Sequence, residues 1–147
     1  KSVVKSNNQR KITLTNRIDK ILNNKLKNKN ITFLGVTFKP NTDDMREASS
    51  IPMINYLNKK GSKIRYYDPS GRKKEFDKLK NVKFYSSISS ACIKSDLIII
   101  HTEWNAFKLL DFKRLVKKKN FKVFDMRNIY SQDKMRDLRI DYTSIGR

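Results

Sequence analysis

Acidic residues are scarce in this chain, 14 against 34 lysines and arginines, and so are glycine (four), proline (three), histidine (one) and cysteine (one). Each shortage excludes something. A single cysteine, Cys92, permits no internal disulfide and points to a reducing compartment, the cytoplasm. The lone histidine, His101, closes an apolar run; it reads as a packed side chain, with no cluster around it for a metal. The four glycines form no G-x-G-x-x-G, so this chain holds no glycine-rich dinucleotide loop. The longest apolar run, Leu97 to Ile100, is far shorter than the roughly 20 residues of a membrane-spanning helix, which removes a transmembrane role. No signal-peptide pattern opens the chain, which starts at Lys1 and reads as a piece of a longer polypeptide.

What is present in quantity is positive charge. The formal net charge is +20, a footprint that a nucleic-acid-binding module would have. The lysines, however, are spread over residues 25–29, 59–63, 73–80 and 113–122 instead of gathering in one motif. With isoleucine and asparagine also abundant, they read as compositional drift on solvated faces. A nucleic-acid module is therefore the alternative and not the first reading, although the field still favours an anionic ligand.

A chain of 147 residues fits one domain whose core needs no metal or disulfide staple. The first thirty residues repeat an apolar spacing (Ile12, Leu14, Ile18, Ile21, Leu22, Leu26) that suits one stripe of a long amphipathic helix, with little to pack against alone. Asn23 to Asn30 is the polar connector from it, and Ile31 to Thr37 is a buried strand. Ser49 or Ser50 caps a helix with Pro52 in its first turn, Ile51, Ile54 and Leu57 on one face, and Gly61 as its stop. Further strands fall at Lys63 to Tyr67, closed by Asp68-Pro69, and at Val82 to Tyr85, Leu97 to His101, Phe121 to Phe124 and Ile140 to Ile145. Short helices lie between them: one capped by Ser86 or Ser87, one or two over Phe107 to Val116, and one over roughly Gln132 to Leu138. This alternation predicts an α/β fold, a doubly wound, mostly parallel Rossmann-like sheet covered on both sides.

The densest chemistry is Phe38 to Glu47, the polar loop between the first strand and its helix, which carries a lysine, two adjacent acids and an arginine where about two to six turn residues suffice. Lys39 sits at the strand exit and Arg46 just ahead of the helix amino terminus, at the edge where open α/β sheets bind ligands. Arg127 follows the strand ending in Asp125 and opens on the same edge, so Lys39 and Arg127 can grip one diphosphate. Each residue has a structural alternative. Lys39 can be a solvated lysine, Arg127 a salt-bridge partner of Asp125 or Asp96, and Arg46 a partner of Asp43 or Asp44. Without a nucleophile nearby, those two acids read as turn-stabilising and arginine-orienting. Trp104 wedges its loop against the core more readily than it stacks on a base, and Cys92, beside Ala91 and Ile93, reads as a small buried hydrophobe.

The run Leu34 to Glu47 resembles the hallmark of the carboxyl-terminal domain of nucleotide-sugar dehydrogenases, the UDP-glucose/GDP-mannose dehydrogenase family, and most of all its UDP-glucose 6-dehydrogenase branch. Thr102-Glu103-Trp104, Asp125 to Tyr130 and Tyr142 to Arg147 resemble that family's further motifs in the same order. The resemblance makes residues 31–147 the UDP-binding domain and residues 1–30 the end of the helix that joins it to a central domain. It implies that Phe38, Lys39 and Arg127 contact the UDP-sugar and that Arg46 reaches the NAD pyrophosphate across a cleft. It further implies a complete enzyme, with amino-terminal and central domains, that oxidises UDP-glucose to UDP-glucuronate through a cysteine-bound intermediate and assembles as a homodimer or higher oligomer. A GDP-mannose or UDP-N-acetylhexosamine dehydrogenase shares these motifs. Two departures stand out: Met126 where the family usually has glycine, and Ala48-Ser49-Ser50 in place of a small residue plus proline. No catalytic residue is expected here, because Cys92 lacks the glycine-rich surroundings of the family's nucleophile, and the chain alone should be inactive.

Overall fold

The structure, a computed structural model, describes residues 2–147, with side chains from residue 12 onward. Six strands, β1 (Asn30–Leu34), β2 (Lys63–Tyr67), β3 (Val82–Phe84), β4 (Leu97–Ile100), β5 (Lys122–Asp125) and β6 (Asp141–Ser144), form one sheet in the order β3-β2-β1-β4-β5-β6. Every pairing is parallel. The chain therefore winds outward from β1 in one direction to β3 and then, from β4, in the other, which puts the helices before the reversal on one face and those after it on the opposite face.

Helices α1 (Ser2–Ile21) and α2 (Ser50–Lys59) cover one face; α3 (Ile88–Cys92), α4 (Phe112–Val116) and α5 (Gln132–Asp137) cover the other. Alternation along β4 serves both layers: Leu97 and Ile99 pack toward α1 and α2, Ile98 and Ile100 toward α3 to α5. All four are fully buried, the signature of a central parallel strand. The helical stripe near the start does find a partner. Leu14, Ile18, Leu22 and Leu26 are buried in the same core as the sheet, and Tyr56 of α2 donates its hydroxyl to Asp19 of α1. The expectation of little to pack against fails because α2 is only 10 residues long and leaves part of the sheet face for α1 to cover.

The first strand stops earlier than its apolar pattern suggests, at Leu34 instead of Thr37. Gly35 takes φ +78° and turns the chain out of the ladder. Its backbone passes so near β4's exit that a Cβ there would lie 2.6 Å from Thr102 Cβ. Val36 and Thr37 remain buried but leave the sheet, and their N–H groups bind Asp68 Oδ2 at 2.8 and 3.3 Å. Expected caps appear at Ser87, whose hydroxyl accepts from Ser90 N–H, and additionally at Asp111 and Ser131. At α2 neither serine caps. Ser50 Oγ donates to Val36 O at 2.5 Å and Ser49 Oγ turns to His101.

Candidate functional site

Strands β1, β4 and β5 are neighbours, and their carboxyl ends deliver the three loops that carry Lys39, Glu103 and Arg127 to one edge. The first loop is braced internally. Phe38 N–H donates to Asp44 O at 2.9 Å, Thr42 Oγ1 accepts from Asp44 N–H at 3.1 Å, and Thr37 Oγ1 donates to Lys39 O at 3.0 Å. The side chains of Phe38 and Lys39 face solvent from this brace, Phe38 at 47% exposure. Arg46 forks onto Asp44, Nε to Oδ1 at 3.0 Å and a terminal nitrogen to Oδ2 at 3.1 Å, and its N–H also reaches Oδ1. Those bonds hold the Asp44 carboxyl below its ordinary range. The arginine is 89% exposed, so water screens the pair and an incoming anion can compete for it.

His101 is the hub that sequence reasoning missed. It is fully buried, with Nε2 2.9 Å from Ser49 Oγ and Nδ1 2.9 Å from Thr102 Oγ1. The tautomer follows from the next link. Thr102 Oγ1 donates its only proton to Thr37 O at 2.8 Å, so it accepts from Nδ1–H, and Nε2 is left to accept from Ser49 Oγ–H. Burial, aided by the Arg127 charge, lowers the imidazole pKa to about 3 and keeps it neutral. The histidine's own carbonyl accepts from Arg127 Nε at 2.7 Å. One residue thus ties the amino end of α2, the loop ahead of Lys39 and the guanidinium of Arg127.

Arg127 is placed twice. Besides the His101 carbonyl, its N–H donates to Asp125 Oδ1 at 3.0 Å, and Glu103 Oε2 lies 4.0 Å from its Nε. The alternative role, a salt bridge to Asp125 or Asp96, does not form, because Asp125 turns its carboxylate inward and Asp96 pairs with Lys118. The other Asp125 oxygen accepts from Tyr130 N–H and Tyr142 Oη–H, and Arg147 donates to Tyr130 O and Tyr142 Oη. Tyr142 is held protonated by burial and by this carboxylate. Met126 is accommodated without a left-handed backbone: its side chain packs into the core below α1 and α2, and Asn128 takes the positive φ of 55° instead.

Asp68 was legible only as the close of β2, yet it carries the approach to Lys39. One oxygen accepts the two N–H groups just before Phe38, and the other accepts Ser70 N–H and Oγ–H. Trp104 packs against the α3–α5 side of the core, as its wedge reading expects, with its indole nitrogen buried and unpartnered among the described residues. Cys92 is buried, which pushes its thiol up to about 12 and removes it as a nucleophile. Among the described residues no group of three or more metal-ligating side chains occurs. The edge offers Lys39, Arg46 and Arg127 to an anion and can bind and orient one.

The model of the "UDP-glucose/GDP-mannose dehydrogenase family, UDP binding domain" matches residues 32–132. A UDP-glucose 6-dehydrogenase of Rickettsia felis is 35% identical over 149 residues, covering 99% of this chain and 33% of the relative. Another from Bacillus subtilis is 37% identical over 153 residues, covering 100% and 34%. Among solved structures, an NDP-N-acetyl-D-galactosaminuronic acid dehydrogenase from Methanosarcina mazei superposes with a TM-score of 0.76 at 22% identity, over 95% of this chain and 29% of that one. A UDP-glucose dehydrogenase from Pyrobaculum islandicum does so with 0.73 at 24%, over 96% and 30%. The chain spans about a third of the length of the curated relatives it matches.

Proposed function

The chain belongs to the UDP-glucose/GDP-mannose dehydrogenase family, and from that premise we propose that it grips the UDP moiety of UDP-glucose for a longer enzyme that oxidises this sugar with NAD. The observation that carries the proposal is the coupling of Lys39 and Arg127 through Thr37, Thr102 and His101. In this reading Lys39 meets the diphosphate as a point charge, and Arg127 adds a fork whose terminal nitrogens have no acceptor among the described residues. Phe38 lies against the nucleotide sugar. Binding energy from the remote nucleotide then positions the reacting carbon, raising rate as well as affinity.

For NAD, the residues present fit only a fragment. Arg46 can exchange Asp44 for a pyrophosphate oxygen, but no glycine-rich loop is present to cradle the cofactor. The dinucleotide loop, the nucleophile and any dimer contacts through the central helix belong, in this proposal, to polypeptide corresponding to the other two thirds of the relatives. Domains that serve GDP-mannose or N-acetylated sugars would use the same frame, with base and sugar chosen elsewhere.

Steady-state kinetics of an enzyme completed with amino-terminal and central domains tests the assignment. Lys39→Ala and Arg127→Ala should each weaken the UDP-sugar by roughly 1–3 kcal/mol, while Arg46→Ala chiefly raises the NAD requirement. If Arg46→Ala shifts only the sugar dependence, or Lys39→Ala leaves it untouched, the division is wrong.

A further inference from the structure

We propose that the amino-terminal edge of the sheet, opposite the nucleotide edge, is a docking face for an anionic lipid bilayer. In a parallel sheet every connection entering a strand lies at one edge and every connection leaving a strand lies at the other. The segments that enter β1 to β6 are residues 22–29, 60–62, 77–81, 93–96, 117–121 and 138–140, and together they carry 11 lysines and arginines against two acids. Both acids are already neutralised, Asp96 by Lys118 and Asp77 by Arg72. On the leaving side, residues 35–49, 68–73, 85–87, 101–104, 108–111, 126–131 and 145–147 carry seven cations against six acids. The topology thus gives the entering edge a net charge of +9 (11 cations less two acids) and the leaving edge a net charge of +1 (seven less six).

Three observations select a bilayer over a nucleic acid. Ten of the 11 cations are lysines, compact point charges without the planar fork that reads phosphates and bases. The only aromatic residue in these segments, Phe121, is buried, so no ring is offered for base stacking. Two of the few exposed large hydrophobic side chains, Ile93 (39%) and Leu138 (45%), stand next to Lys94 and Arg139. Basic charge beside protruding aliphatic groups is the chemistry of an anionic lipid interface. Six strands spaced about 4.8 Å apart make the edge roughly 24 Å wide, a broad front suited to a surface. Between the connections into β5 and β6, a cavity of about 390 Å³ is lined by Lys113, Lys117, Lys119 and Arg139 above Phe121 and Ile140, with room for a phosphate headgroup.

The test is co-sedimentation of the chain with phosphatidylcholine vesicles with and without phosphatidylserine, at low and raised salt. The chain should pellet only with the anionic vesicles, and less as salt rises. Reversing Lys25, Lys80 and Lys119 to Glu should lower that partition on the order of 100-fold, whereas reversing Lys74, Lys108 and Lys134, which lie outside these connections, should change it far less. Leu138→Ser, which leaves the net charge unchanged, should weaken the same partition by several-fold, and far-UV circular dichroism checks that each variant is folded. Equal losses in the two charge-reversed triples, equal binding to neutral vesicles, or tighter binding to duplex DNA or RNA than to anionic vesicles at the same salt would each overturn the proposal.

Discussion

His101 offers a stability signal that nothing else in the chain can imitate. It is the one histidine, so no second imidazole adds to the pH dependence near about pH 6. In the unfolded chain its imidazole ionises near about 6.5. In the folded chain burial first, and the Arg127 charge second, lower that to about 3. The sign follows: the unfolded state takes up a proton that the folded state refuses, so stability is full above about pH 6.5 and is lost as pH falls toward 3. At 1.36 kcal/mol per pH unit, the loss between pH 7 and pH 5 comes to about 2 kcal/mol. Urea unfolding followed by circular dichroism at pH 7, 6 and 5 measures it directly. His101→Gln should cost about 1–3 kcal/mol at pH 7, through imperfect replacement of the bonds to Ser49 and Thr102, and should flatten the pH dependence. A wild-type chain whose stability stays constant from pH 7 to pH 5, or a glutamine variant that keeps the slope, would refute the neutral hub.

Other consequences are simpler to state. Gly35→Ala forces a Cβ to within 2.6 Å of Thr102 Cβ at φ +78°, and should lower the unfolding free energy by about 2–4 kcal/mol in the same urea assay. Asp68→Asn replaces a carboxylate that accepts the Val36, Thr37 and Ser70 N–H groups, and should cost about 2 kcal/mol of stability; in the completed enzyme it should also weaken nucleotide-sugar binding although Lys39 is intact. Cys92, buried and with its thiol pushed up to about 12, should resist alkylation in native buffer and react at once in denaturant.

Much of the architecture was legible because local signals agreed with one another. β2 matches its expected Lys63 to Tyr67 bounds, since an alternating strand runs straight into Asp68-Pro69. Helix α5 starts where expected, with Ser131 as its cap. β1 was read too long because Val36 is as buried as a strand residue, and a sequence shows burial without showing whether the backbone is paired. The serines before α2 look like caps in any sequence reading. In the fold their hydroxyls have better acceptors, the Val36 carbonyl and the His101 ring, and both acceptors lie outside the helix.

The motif residues Lys39, Arg46 and Arg127 could be picked out because charge is conspicuous at a strand exit. The residues that hold Lys39 and Arg127 could not, because each decisive bond joins segments far apart in the chain. Ser49 and His101 are 52 residues apart, Thr37 and Thr102 are 65 apart, and His101 and Arg127 are 26 apart. Parallel topology is what brings them together: each connection returns the chain to the starting edge, so every strand ends on the same side of the sheet, and neighbours such as β1, β4 and β5 deliver their exits together however long the excursion between them. The same rule hides a second pattern. A lysine every few residues looks evenly spread along a line, but the connections that enter strands hold 11 cations against two acids while those that leave hold seven against six, so the fold places the charge excess on one edge. A chain with this composition and an antiparallel sheet would interleave the two kinds of connection at both edges, and its charge would be as dispersed in space as it is in sequence.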